Sequence, residues 1–255
     1  MKSLYKHRCS WEKYKPNTTY DWITESEEKN FISNLKRFPN NPSLKYYLEN
    51  QIKYTLNNEG FRTPDDFNSD DEGNVFLGCS YTFGVGLHLN DVWSYKLNQK
   101  IGGKFWNLSM GGTGIMTHFR LLLGYYKELK IKNIFHYLPN YFRYEFIING
   151  EPTICKVSEY DIEWESKYGN LIHDSLVNED QREIINVAYI NAIKNIASEI
   201  GCKYYLIRND DINWSKDGSL QARDLDHYTV YRQDQIYKQF LKLAGIEFDD
   251  KKSII

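Results

Sequence analysis

Asn74-Val75-Phe76-Leu77-Gly78-Cys79-Ser80-Tyr81-Thr82-Phe83-Gly84-Val85-Gly86 is a short apolar run that breaks into a turn rich in serine and glycine. A run of this length bounded by turn residues reads as a buried strand feeding a loop. Downstream, Asp91 opens a helical segment to about Ile101, with Val92, Tyr95 and Leu97 mostly on one side. Lys104 to Leu108 is a second strand, and the glycine-rich turn Ser109 to Gly114 leads into a helix from about Ile115 to Leu129. Lys132 to Leu138 is a third strand. A helix from about Glu179 to Ile200 stops at Gly201, Lys203 to Ile207 is a fourth strand, and Tyr228 to Ala244 is a last helix. Strands alternating with helices in this way predict an α/β fold, a central parallel sheet with helices on both faces.

The chain upstream of this pattern differs in character. It is rich in Asn, Lys, Tyr and Pro, carries one predicted helix over Glu25 to Arg37, and ends in Asp65, Asp66, Asp70, Asp71 and Glu72, which read as a solvated loop. Residues 1–72 are therefore expected to form an extension packed on or beside a domain spanning 73–255. Within that domain about 141–178 has no clear period and many aromatics, and reads as an insertion or lid.

Composition narrows the function. The hydrophobic fraction of 41% is modest, but 21 Tyr, 13 Phe and 6 Trp carry much burial per side chain, so a packed core is expected. With 32 basic and 34 acidic residues, net charge is -2, and no summed positive field exists to hold a nucleic-acid backbone. Four cysteines, Cys9, Cys79, Cys155 and Cys202, form no C-x-x-C pair, which argues against a zinc site and a dense disulfide scaffold. The first eleven residues are polar and charged, and no segment is long and apolar enough to span a bilayer. A soluble, cytoplasmic chain is expected.

In such sheets, functional residues gather in loops at the carboxyl ends of strands. Three loops qualify: Gly78 to Thr82, Asn107 to Gly114, and Pro139-Asn140-Tyr141. A serine hydroxyl needs a base to take its proton and donors already aimed at the developing oxyanion. Ser80 is placed to attack. The backbone amides of Ser80 and Gly112 and the side-chain amide of Asn140 can serve as donors, each commonly worth about 3 kcal/mol of transition-state stabilisation. Of the six histidines, only His227 has a carboxylate three residues earlier in a loop before the last helix, in Asp224-Leu225-Asp226-His227. Across one turn Asp224 can hold the imidazole Nδ1–H and leave Nε2 for the serine, which orders a triad Ser80, Asp224, His227 along the chain.

The same residues resemble the SGNH hydrolases, the GDSL-like esterases and lipases. Phe76 to Gly86 is similar to the family's first block, Asn107 to Gly114 to its second, with Gly112 as the oxyanion glycine, Leu138-Pro139-Asn140 to its third, and Asp224 to His227 to its Asp-x-x-His block. Cys79 stands where the family usually has Asp, and Tyr141 where a second carboxylate is common. The resemblance runs from about Val75 to the last helix. It implies a three-layer α/β/α flavodoxin-like sandwich and hydrolysis of esters, often acyl or acetyl groups on carbohydrates or lipids, without a metal or organic cofactor. The partner it implies is a small-molecule or saccharide ester.

Two other functions are compatible with these residues. Transfer of the acyl group to a sugar hydroxyl, an O-acyltransferase reaction, needs the same first half-reaction. A non-catalytic carbohydrate-binding or particle-associated protein can retain the scaffold while its aromatics stack on sugars. A phosphate-binding role for Gly84-Val85-Gly86 fails, for want of a third glycine and of any Gly-Lys-Ser/Thr.

Overall fold

The apolar run ahead of Ser80 forms a strand whose alternation divides the core between two faces. The structure, a computed structural model, describes residues 4–67, 70–139, 143–156, 178–212, 214 and 219–247. In chain order the elements are β1 (Thr19–Tyr20), α1 (Glu25–Arg37), α2 (Pro42–Glu49), β2 (Tyr54–Thr55), β3 (Glu72–Leu77), the single turn α3 (Ser80–Phe83), α4 (Trp93–Ile101), β4 (Lys104–Asn107) and α5 (Ile115–Tyr125). They continue with β5 (Lys130–Leu138), β6 (Arg143–Ile148), β7 (Glu151–Lys156), α6 (Glu179–Glu199), β8 (Lys203–Arg208) and α7 (Val230–Ala244).

Strands β4, β3, β5 and β8 lie side by side in that order, all parallel. Successive side chains on a strand point to opposite faces. Val75 and Leu77 accordingly pack with Leu121, Leu122, Ile193 and Ile196 from α5 and α6. Phe76 packs on the other face with Trp93, Leu97, Ile236 and Phe240 from α4 and α7. The result is a helix, sheet and helix sandwich.

Aromatic residues supply much of the second face. Phe76, Phe135 and Tyr205 sit in register on three adjacent strands, and their rings stack with centroids 5.4 and 5.0 Å apart. Pairs of this kind are worth about 0.5–1.5 kcal/mol each beyond the area they bury. Asn74, polar within β3, is also fully buried, and its amide donates to Asn98 Oδ1 at 2.8 Å and Gly102 O at 2.9 Å.

Sheet order reverses direction at β3: the chain moves to one side to make β4, then crosses back to make β5 on the other. Helices α4 and α6, which follow β3 and β5, thus lie on opposite faces of the sheet, the arrangement that opens a crevice at the carboxyl ends of two such strands. Around this opening sit two further pieces. The hairpin β6–β7 closes through Asn149 and Gly150, both at positive φ (53° and 83°), as a two-residue turn of the primed type requires. Residues from the first seventy share the α5/α6 core, among them Trp11, Phe31, Leu44 and Phe61. Arg120 on α5 ties the chain start down, donating to Leu4 O and Tyr5 O at 2.9 and 3.0 Å while pairing with Glu145 through two bonds of 2.6 and 2.9 Å. Among the described residues no helix is long and apolar enough to cross a membrane.

Candidate active site

β3 delivers the chain into one tight turn that sets Ser80 at the head of α3. Cys79 caps that turn, its carbonyl accepting from the amides of Thr82 and Phe83 at 3.0 Å each. Ser80 is 8% exposed and lines a cavity. The second glycine-rich loop runs alongside. Asn107 Oδ1 accepts from the Ser109 amide at 3.1 Å, and the Thr113 hydroxyl donates to Met110 O at 2.8 Å, with Gly78 O at 3.3 Å. The loop is thereby clasped to the end of β3.

The segment 222–229 brings the imidazole from the far end of the chain. Asp224 Oδ1 accepts the amides of Asp226 and His227 at 3.1 Å each, which closes a turn with Leu225 at φ 58°. Its Oδ2 lies 2.6 Å from His227 Nδ1. With Nδ1 so engaged, the free basic nitrogen is Nε2, on a ring that lines the same cavity as Ser80. Burial works to raise the Asp224 carboxyl, yet the His227 hydrogen bond, its charge and the two backbone amides hold it below the ordinary value. Burial likewise works to lower His227, and the hydrogen bond and charge of Asp224 outweigh it, so the imidazole is raised above its ordinary value.

What brings the two segments together is a pair of neighbouring rings. Tyr81, next to Ser80, stacks face to face on Tyr228, next to His227, with centroids 3.7 Å apart and planes 4° from parallel. Tyr228 is held in turn by Asn209 Oδ1 at 2.6 Å and by the Tyr137 hydroxyl at 3.1 Å. Ser80 and His227 are not hydrogen-bonded to each other; the serine hydroxyl lies 3.9 Å from Cys79 Sγ.

Ser80, Gly112 and His227 all line one cavity of about 460 Å³. Gly112 adopts φ +81°, a conformation side chains avoid, and open space surrounds the position a β-carbon would take. Asn140, the third expected donor, lies outside the described residues. Sequence reasoning did not anticipate the rest of the wall: Ser10, Trp11, Thr24 and Ser26 come from the first 26 residues, Arg143 and Ile154 from the hairpin, and Asp226 from the turn beside His227. For the hairpin the Asn149-Gly150 pair was a usable signal. For Trp11 there was none, because its partner lies 100 residues away.

The two fully buried histidines do not line this cavity, although His118 Nε2 lies 3.2 Å from the Thr113 hydroxyl that holds the loop. His118 and His136 bond each other at 3.0 Å, and burial drives both imidazoles down, His136 to about 3. They are neutral core groups. Among the described residues no group of three or more His, Cys, Asp or Glu side chains is arranged to hold a metal ion. Compared with known proteins, the chain matches no family model and no curated relative.

Proposed function

We propose that the chain is a serine ester hydrolase of the SGNH (GDSL-like) kind, built on a flavodoxin-like three-layer scaffold. The sheet order β4-β3-β5-β8 supports that scaffold, since it runs second, first, third, fourth along the sheet. The observation that carries the chemistry is the convergence of Ser80 and an Asp224-buttressed His227 on one cavity, with their neighbouring tyrosines stacked at 3.7 Å.

Ser80 Oγ attacks the ester carbonyl while His227 Nε2 takes its proton. Asp224 keeps the imidazole in the tautomer with Nδ1 protonated and steadies the imidazolium that forms. The amides of Ser80 and Gly112, joined by Asn140, receive the oxyanion. Collapse expels the alcohol, which takes the proton back from His227, and leaves an acyl-enzyme. Water, deprotonated by the same imidazole, then releases the acid.

Ser10, Thr24 and Ser26 line the wall beside Trp11 and two charged residues of opposite sign, Asp226 and Arg143. Such a lining favours a polar, hydroxylated alcohol part, an acylated saccharide rather than a long-chain lipid. The test is labelling with a fluorophosphonate probe together with turnover of p-nitrophenyl acetate. Ser80→Ala is expected to abolish labelling, and Ser80→Ala or His227→Ala to lower kcat by about 10³-fold or more with the fold retained. Persistent labelling of Ser80→Ala, or an inert natural chain, would refute the assignment.

A further inference from the structure

We infer that Trp11 is a positioning residue of the oxyanion site: its indole N–H holds the Gly111 carbonyl, and so aims the Gly112 N–H toward the carbonyl oxygen of a bound ester. This inference rests on the hydrolase function proposed above.

A peptide unit is planar and trans, so its C=O and N–H point in opposite directions. The Gly111 carbonyl and the Gly112 amide belong to one such unit. Trp11 Nε1 donates to Gly111 O at 2.8 Å, which sends the Gly112 N–H away from the indole. That N–H has no partner among the described residues, on a residue lining the same cavity as Ser80. An unpaired donor at this place is what a developing oxyanion requires.

The two glycines cannot hold this plane by themselves. Gly111 has no side chain, Gly112 is at φ +81°, and a peptide between two glycines turns over at little steric cost. The indole supplies the missing rigidity. Trp11 is 5% exposed, packs on Phe83 at 4.8 Å and on Tyr14 at 5.3 Å, and its own amide donates to Arg8 O at 3.0 Å. The fit is close: a β-carbon on Gly111 would come within 2.8 Å of Trp11 Cζ2 and 3.6 Å of Ser80 Cβ. Accepting a hydrogen bond at the carbonyl also polarises the amide and strengthens its N–H as a donor, by roughly 10–30%.

The test replaces Trp11 in the full chain by 3-benzothienylalanine, which keeps the bicyclic shape and puts sulfur in place of the indole N–H. A parallel replacement by 7-azatryptophan keeps the N–H. The sulfur analogue is expected to lower kcat for p-nitrophenyl acetate by about tenfold, less than the loss of a whole oxyanion donor. KM is expected to stay within about twofold, and the amide ¹⁵N resonance of Gly112 to shift; the aza analogue is expected to restore kcat. Unchanged kcat and an unmoved Gly112 resonance in the sulfur analogue would overturn the inference while leaving the hydrolase assignment intact. Equal losses in both analogues would overturn it too, since shape and not the donor would then be responsible. An inert natural chain would remove the hydrolase assignment and this inference together.

Discussion

Replacing Glu27 by Gln tests whether the first helix secures the segment that carries His227. The Glu27 side chain is 0% exposed and its partner Arg223 3%. Glu27 Oε1 accepts from Arg223 Nη2 at 2.7 Å, from Arg223 Nε at 3.1 Å and from the Tyr54 hydroxyl at 2.6 Å, while Oε2 accepts the Ile23 amide at 3.1 Å. Glutamine keeps the volume but introduces two faults. Arg223 loses its counter-charge in the interior, and the new amide NH₂ must face a donor, at Ile23 or at the Arg223 and Tyr54 side. Breaking a buried pair by removing one partner costs about 3–5 kcal/mol, because the other charge is left uncompensated. For a chain of this size each kcal/mol moves Tm by about 2–4 °C, so a fall of about 6–20 °C is expected. Thermal unfolding followed by circular dichroism reads it. Because the Arg223 amide donates to Gly86 O at 2.8 Å, and Asp224 follows directly, kcat is expected to drop at temperatures where the variant is still folded. The double variant Glu27→Leu/Arg223→Met removes both charges and is expected to recover at least half of the lost stability. A fall in Tm of under about 2 °C in Glu27→Gln, well below the range expected, would refute the reasoning. So would a double variant less stable than the single one.

Two further changes probe the site directly. Asp224→Asn keeps an oxygen for the amides of Asp226 and His227 but removes the carboxylate at Nδ1; kcat is expected to fall by about 10⁴-fold while thermal unfolding changes little. Under the proposed mechanism the same pair sets the pH profile. His227 works as a base only when neutral and Asp224 raises it, so kcat/KM is expected to climb with pH through a point above the ordinary imidazole value; the residual activity of Asp224→Asn should have its acid limb at lower pH, and an unmoved limb would exclude His227 as the titrating base. Gly86→Ala places a β-carbon 2.9 Å from Ala222 Cβ and 3.1 Å from the Arg223 amide at φ +76°; unfolding in urea is expected to show about 1–3 kcal/mol of lost stability, with kcat reduced because the displaced residues adjoin Asp224.

Periodic features were legible in the sequence, and features depending on distant partners were not. The helix expected over Glu25 to Arg37 has those bounds, because its start is marked locally: Thr24 Oγ1 accepts the Glu27 amide at 3.0 Å. The last helix begins at Val230 rather than Tyr228, since Thr229 caps it and Tyr228 turns inward to stack on Tyr81. β3 begins at Glu72, two residues ahead of the expected Asn74. Glu72 was expected to close the solvated acidic loop, yet it pairs with Lys130, and Gly73 pairs with Lys104 and Ile131, partners that are distant in sequence. Asp65, expected in a solvated loop, accepts the Phe105 amide at 2.8 Å and pairs with Lys104. The stretch expected to lack regular structure after Pro139 contains β6 and β7, whose alternation is short and crowded by aromatics. The Asp224 to His227 pairing, four residues long, was readable as local chemistry; its meeting with Ser80 depends on sheet order, which local periodicity does not encode.

In the candidate site, order is supplied by the neighbours of the reactive groups. The serine and the imidazole do not bond to each other; Tyr81 and Tyr228 bond their segments by stacking, and Asn209 fixes the second ring. The imidazole is oriented by Asp224, whose backbone oxygen accepts from Asn34 Nδ2 at 2.8 Å, and whose chain neighbour Arg223 is anchored to Glu27. Both anchors are on the first helix. The glycine loop is held by the Thr113 hydroxyl at Met110 O and by the Trp11 indole at Gly111 O. Three of these supports, Asn34, Glu27 and Trp11, therefore come from the first 34 residues, which reach both the Asp224 segment and the glycine loop. If the proposed hydrolase mechanism operates, a site held in this way has its donors aimed before substrate arrives, and little reorganisation remains for the chemical step. It follows that changes in the first 34 residues should act on kcat through the geometry of the site as well as through global stability, and the two effects separate whenever activity is lost below the unfolding transition.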